Sequence, residues 1–314
     1  SEALNDLADV LGIEDKELSL GGRLGIAFGA RGKGQALAHY ERLSKVINMT
    51  KKRGSLGVLA HEWGHAFDDY MFHFANDFKA QRLDYASESH RRSLSKMSAE
   101  FLHALSEVHA AIKKGNGMEH HLNGNKEGVS WRISNFTLQT YRDAKGDLQE
   151  TVRLLRNYYK DYYWADDETL GLSHYQSYGY SKEQAEKIMA SNLRKFKKTM
   201  TNVINALAWY HEKQTGKRVE YVPVETGKSN FYLKSIEQDG GKIGKYWSRD
   251  CELFARAFET YVEDTLTHKG HTSHYLVAGT NSSLAYPHDT ERERIVKAMG
   301  EFLTIAIPEI FGGK

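Results

Sequence analysis

The chain has 314 residues, of which 40% are hydrophobic, 11% aromatic and 27% charged, the composition of a soluble globular protein and not of a disordered one. Its 43 basic and 41 acidic residues leave a formal charge of +2, so global charge gives little reason to expect a nucleic-acid partner. The single cysteine, Cys251, excludes an internal disulfide, a thiolate zinc knuckle and an iron–sulfur cluster, and favours a reducing compartment.

In chain order, Ser1–Val10 reads as a short helix whose N-terminus lacks the basic patch and apolar run of a signal peptide. It also lacks Met, as a trimmed or excised segment would. Arg23–Gly29 and Ala38–Thr50 read as strands around the glycine-rich turn 30–34. Leu56–Ala75 carries Leu59, Trp63, Phe67 and Tyr70 at helical spacing. Ser93–Lys114 is a second helix, closed by Gly115-Asn116-Gly117. The stretch 115–179 is polar and irregular, with a tyrosine cluster at 158, 159, 162, 163, 175 and 178. Ser181–Thr215 is a long helix with a basic middle, Arg194 to Lys198. Arg218–Val222 and Asn230–Ile236 read as strands. Asp250–Asp264 is strongly amphipathic, and Asp289–Ile305 is a last helix with an acidic start. No apolar run approaches the ~18–20 residues of a membrane span. The sum is a predominantly helical α+β fold with a small N-terminal sheet, expected as one domain over 1–314 with a helical insertion or lid at 115–179.

The chemistry concentrates in His61-Glu62-Trp63-Gly64-His65. Residues four apart on a helix share a face, so both imidazoles can offer a nitrogen to one zinc ion at ~2.0–2.1 Å. Glu62 lies to the side, where it can hold a metal-bound water and take its proton. Gly64 is expected to leave room beside the metal. The bland alternative is a pair of exposed or core histidines with a helix-capping glutamate. A catalytic zinc needs a third protein ligand and an open position. Glu252 is the choice, with Glu259 behind it or competing for the role. The open alternative is a solvated Glu252–Arg256–Glu259 ladder. Asp69 stands at i+4 from His65 and Asp68 at i+7 from His61, placed to accept the far N–H of each imidazole. Tyr275 and His274 are candidate oxyanion donors, with Tyr246 next. His39 and His73 are also near the motif in sequence, and His73, eight residues beyond His65, is not assigned to the metal.

These residues carry a resemblance. Ile26–Met71, Tyr246–Asp264 and Ser273–Gly279 resemble the metallopeptidase-like domain of the large polyvalent protein-associated family of prophages and conjugative elements. More distantly, they resemble the zincin domain of antirestriction proteins. The resemblance implies a zincin fold, a helix with the two histidines under a small sheet, and a glutamate from a later helix as third ligand. Carried over, zinc falls on His61, His65 and Glu252, with Glu62 as base. The positions a metzincin would fill with glycine and a third ligand are Asp68 and Met71, which fits a glutamate ligand instead.

The expected function is a zinc-dependent metalloendopeptidase acting on a protein or peptide in the cytoplasm of a bacterium or phage-infected cell. Its substrate would add to the edge of Ala38–Thr50. A toxin or maturation protease would differ only in substrate. The alternative from another class is a mobile-element counter-defence or DNA-associated binding module with a structural zinc. Arg194–Lys198 and Lys51-Lys52-Arg53 could touch phosphate, but read as solvated faces.

Overall fold

The computed structural model describes residues 2–29, 38–50, 57–80, 83–89, 91–126, 129–165, 175 and 177–312. The fold is α+β and predominantly helical. It forms two compact units, one of residues 1–117 with 227–314 and one of residues 118–226. No helix among the described residues is long and apolar enough to cross a membrane.

The first unit opens with α1 (Glu2–Leu11) and a three-stranded sheet: β1 (Gly25–Phe28), β2 (Ala38–Glu41) and β3 (Val46–Met49). β3 is central, parallel to β1 and antiparallel to β2. The single strand expected over Ala38–Thr50 is therefore two strands. They are split by a turn that closes at Lys45 with φ +54°. The glycine-rich turn 30–34 and the basic run 51–53 lie outside the described residues.

Helix α2 (Leu59–Phe74) carries the histidine motif. Its Trp63 and Phe67 rings stack at 5.1 Å, and Trp63 stacks on Phe258 at 5.4 Å. The indole N–H of Trp63 donates to the Leu18 carbonyl at 3.1 Å, so the largest core side chain leaves no unsatisfied donor. α3 (Ala99–Lys113) begins at Ser98, whose hydroxyl caps the Phe101 N–H at 3.0 Å. α7 (Asn230–Gln238), α8 (Asp250–His268) and α9 (Asp289–Phe311) complete the unit. Phe101, Phe254, Phe258 and Phe302 are fully buried in its core.

Asn230–Ile236, read as a strand, is helix α7. Ser229 caps it by accepting the Tyr232 N–H at 3.0 Å. Phe231, Tyr232 and Ser235 are buried at helical spacing, which overrides the β-propensity of the aromatic pair.

The second unit pairs β4 (Met118–Leu122) with β5 (Tyr221–Glu225), antiparallel, and adds α4 (Asn135–Asp143), α5 (Leu148–Tyr163) and α6 (Lys182–Thr215). Val152, Leu155, Leu207 and Val222 give it its own core. The lid or insertion expected at 115–179 is thus redrawn as a unit that runs to Thr226, because α6 packs on α5. Arg194, Lys195, Lys197 and Lys198 are exposed on α6. In the first unit, the chain leaving at Gly117 and the chain returning at Gly227 are stitched together. The Gly115 N–H donates to the Gly227 carbonyl at 3.2 Å and the Gly117 N–H to the Lys228 carbonyl at 2.7 Å.

Candidate metal centre

The site forms where α2 crosses α8. Gly64 sets the approach: a Cβ there would stand 3.1 Å from Phe258 Cδ1 and 3.5 Å from the Ala255 Cα. The room that Gly64 leaves is therefore filled by the facing helix and not by the metal. Gly64→Val is expected to force the helices apart and cost about 1–3 kcal/mol, the usual penalty of overpacking. Urea unfolding of the variant against the parent measures it.

A short 3-10 turn, Ala86–Glu88, ties the same two helices from the side. The Ser87 N–H and hydroxyl donate to Asp68 on α2 at 2.8 and 2.5 Å. Glu88 accepts both guanidinium arms of Arg249, at the start of α8, at 3.0 and 2.9 Å.

Close helix packing brings three donor groups together. The two Nε2 atoms of His61 and His65 are 3.2 Å apart. Glu252 Oε2 lies 3.6 Å from His61 Nε2, and Glu252 Oε1 lies 3.5 Å from His65 Nε2. Two ligands each ~2.0–2.1 Å from a tetrahedral zinc are ~3.4 Å apart, so these separations suit one such ion. Among the described residues these three are the group of donors close enough to share a cation.

The electrostatics point the same way. Burial works against charge on His61, but its close contacts with the carboxylates of Glu252 and Glu259 and the charges of Glu259 and Glu62 outweigh it. They hold its imidazolium up to about 10. Burial would raise Glu252, yet contacts with His61 and His65 keep its carboxyl below the ordinary carboxylate range. Three glutamates thus face two imidazoles that turn their Nε2 atoms toward each other. A cation answers that charge as a proton does, and the donor set fits a divalent one of zinc type.

Glu259 is placed behind His61, its Oε2 3.2 Å from Nδ1. Tyr286 donates its hydroxyl to the same carboxylate at 2.6 Å. Arg256 and Glu259 are each only 2% exposed, so the ladder on α8 is buried and not solvated. Glu62 accepts the backbone N–H of Tyr40 on β2 at 2.6 Å.

The two aspartates do not serve the histidines. Asp68 belongs to Ser87, and burial pushes its carboxyl up to about 8. Asp69 accepts the Tyr40 hydroxyl at 2.8 Å and Lys45 Nζ at 2.5 Å. Helical spacing put both carboxylates near the motif, but their own neighbours claim them. His65 Nδ1 is buried with no hydrogen-bond partner.

Tyr275 and His274 are exposed and make no hydrogen bond to the site. Their loop is nonetheless pinned to it, since Ala60 donates its N–H to the Leu276 carbonyl at 2.9 Å. Tyr246 sits closer to the chemistry. Burial and the charges of Glu252 and Glu62 raise its phenol above the ordinary value. Its loop is held by Asp239, which accepts the backbone N–H groups of Tyr246, Trp247 and Ser248 at 2.8–3.2 Å.

The comparison with protein families falls on this half of the site. Residues 238–306 match large polyvalent protein-associated domain 1. The match takes in Tyr246, Glu252, Arg256, Glu259 and Tyr286. The matched segment thus holds one of the three candidate donors and the groups behind it, while His61, Glu62 and His65 lie outside it. Two of the three stretches that carry the sequence resemblance, Tyr246–Asp264 and Ser273–Gly279, fall inside the segment. No curated protein and no solved structure matches the chain.

Sequence reasoning missed Tyr40, Ser87, Glu88 and Tyr286. A backbone N–H has no signature in a side-chain motif. The other three stand too far along the chain for spacing to join them to the histidines.

Proposed function

We propose that this chain is a zinc-dependent endopeptidase of the glutamate-zincin type, acting on a protein or peptide. The observation that supports it is the convergence of His61, His65 and Glu252 at 3.2–3.6 Å, with Glu62 alongside. Zinc held there would supply a Lewis acid and bring the pKa of water down toward ~7.

The chain's own residues supply the rest. Glu62 accepts the proton of the attacking water and returns it to the leaving amine. The Tyr40 N–H holds Oε2 of Glu62 and so fixes the carboxylate for both transfers. Tyr246 is the donor for the developing oxyanion, ahead of Tyr275 and His274. β2 is an edge among the described strands, and an extended substrate adds beside it.

Glu62→Gln tests this. The variant is expected to keep its metal by elemental analysis and to lose roughly 2–4 orders of magnitude of cleavage rate. Proteomic identification of cleaved peptides supplies the substrates. An undiminished rate eliminates the mechanism.

A second reading is favoured by one observation, the burial of all three ligand side chains at 17%, 8% and 12% exposure. In it the metal is structural, and the chain is a counter-defence or DNA-associated module of a mobile element. Chelation separates the two: a structural site melts on metal removal, and a catalytic one loses activity with its fold kept.

A further inference from the structure

A cavity of about 380 Å³ lies against α2, one turn past the candidate metal centre. That is within the range of roughly 300–1,000 Å³ of small-molecule sites. Ala66 and Asp69 line it, and they follow Glu62 and His65 by one helical turn. The cavity therefore opens on the same side of the helix as the proposed base. Tyr40 bridges the two: its N–H reaches Glu62 and its hydroxyl reaches Asp69 in the cavity wall.

The lining has a definite chemistry. Leu20, Leu24, Tyr70 and Phe78 make it apolar along much of its length. Two cations, Arg23 and Lys45, face one carboxylate, Asp69. Asp69 is already answered by Lys45 at 2.5 Å and by Arg42 at 3.5 Å. The Arg23 guanidinium carbon lies over the Phe78 ring, 4.0 Å from its centroid, and Arg23 makes no ion pair among the described residues. The cavity is thus an open groove of mixed lining whose exposed, planar guanidinium pairs with no carboxylate among the described residues, and a guanidinium is the group that best matches a carboxylate.

We infer that this cavity is a substrate subsite beside the metal centre, and that it takes a carboxylate carried on an apolar stem. The stem lies along the apolar wall and the carboxylate pairs with Arg23. The carboxylate comes either from an acidic side chain or from the C-terminal residue of a peptide. The inference rests on the peptidase proposal for the identity of the ligand, but binding is testable without turnover.

The probes are 3-phenylpropanoate and its neutral amide, titrated by calorimetry into the metal-free full-length chain. The acid is expected to bind at least tenfold more tightly than the amide. Arg23→Gln and Arg23→Glu, with circular dichroism to check folding, are expected to bring the ratio to one. Equal binding of acid and amide, no binding of either, or an unchanged ratio in both variants overturns the site. A peptide library with free and amidated C-termini, digested by the zinc-loaded parent, then assigns the source. Loss of cleavage on amidation points to the terminal carboxylate, and retention with enrichment of acidic residues points to the side chain. Cleavage with neither signature overturns the subsite assignment. Probe binding without any cleavage leaves the cavity standing and refutes the peptidase reading alone.

Discussion

Arg256→Met is expected to destabilise the protein by about 3 kcal/mol or more. Arg256 is 2% exposed and ties three segments to α8. It donates to the Ala285 carbonyl at 2.7 Å, to the Ser235 hydroxyl at 3.3 Å, to the carbonyl of Trp247, and to the Glu252 carbonyl at 3.2 Å. Its guanidinium also lies over the rings of Phe231 and Trp247 at 5.0 and 5.4 Å. Methionine fills much of the volume but leaves several buried acceptors unpaired, at about 1–3 kcal/mol each. Burial lowers the pKa of this arginine, while the charges of Glu252 and Glu259 hold its charge in place. Removing it also leaves those carboxylates uncompensated. Urea unfolding at fixed pH and metal content measures the loss. A midpoint equal to the parent's refutes the role.

The second large effect is on the metal-free protein. His61 goes from its ordinary 6.5 to about 10 in the folded state, so the folded form binds its proton more tightly. That stability is fully present below about 6.5 and is lost as pH rises through about 10. Glu252 is shifted the other way. Its contribution is present above its ordinary 4.5 and is lost as pH falls below that value. The two shifts describe one cluster, His61 and His65 facing Glu252, Glu259 and Glu62, and are counted once. The contribution of this cluster to the metal-free fold is therefore expected to be largest between about pH 4.5 and 6.5 and to fall by on the order of a few kcal/mol by pH 10. On the proposed reading zinc would take the place of the His61 proton, so saturation with zinc is expected to flatten the alkaline limb. Thermal melts across pH, with and without zinc, check both limbs. An alkaline limb that is the same in the two series excludes metal binding at His61.

The part of the site that could be read from the sequence is the part set by local geometry. His61 and His65 share a helix face because of the helical repeat, and Glu252 stands out because it opens a second helix off the apolar stripe. What could not be read depends on tertiary neighbours. Asp68 and Asp69 occupy suitable positions on the same helix, but Ser87 and Lys45 take them, and no spacing rule carries that information. Gly64 was legible as a place where space is needed, but not as the place where Phe258 needs it. The strand expected at Asn230–Ile236 failed for a related reason. Its aromatic pair suits a pleated surface, and only the Ser229 cap and the burial of Phe231, Tyr232 and Ser235 decide for a helix. The predominantly helical α+β character was legible because it rests on long periodic segments. The boundary at Thr226 was not, because it depends on which core α6 joins.

The stitching at Gly117 and Gly227 makes the chain modular in a practical sense. Both ends of the 118–226 stretch emerge at one point on the first unit, already within hydrogen-bonding reach of each other. Excising that stretch and joining the two glycines directly would close a short hairpin, with little of the entropy that sealing a wide gap demands. The histidine helix, the glutamate helix and the cavity all lie on the retained side, so a minimal unit carrying the candidate metal centre can be cut from this fold with a single deletion.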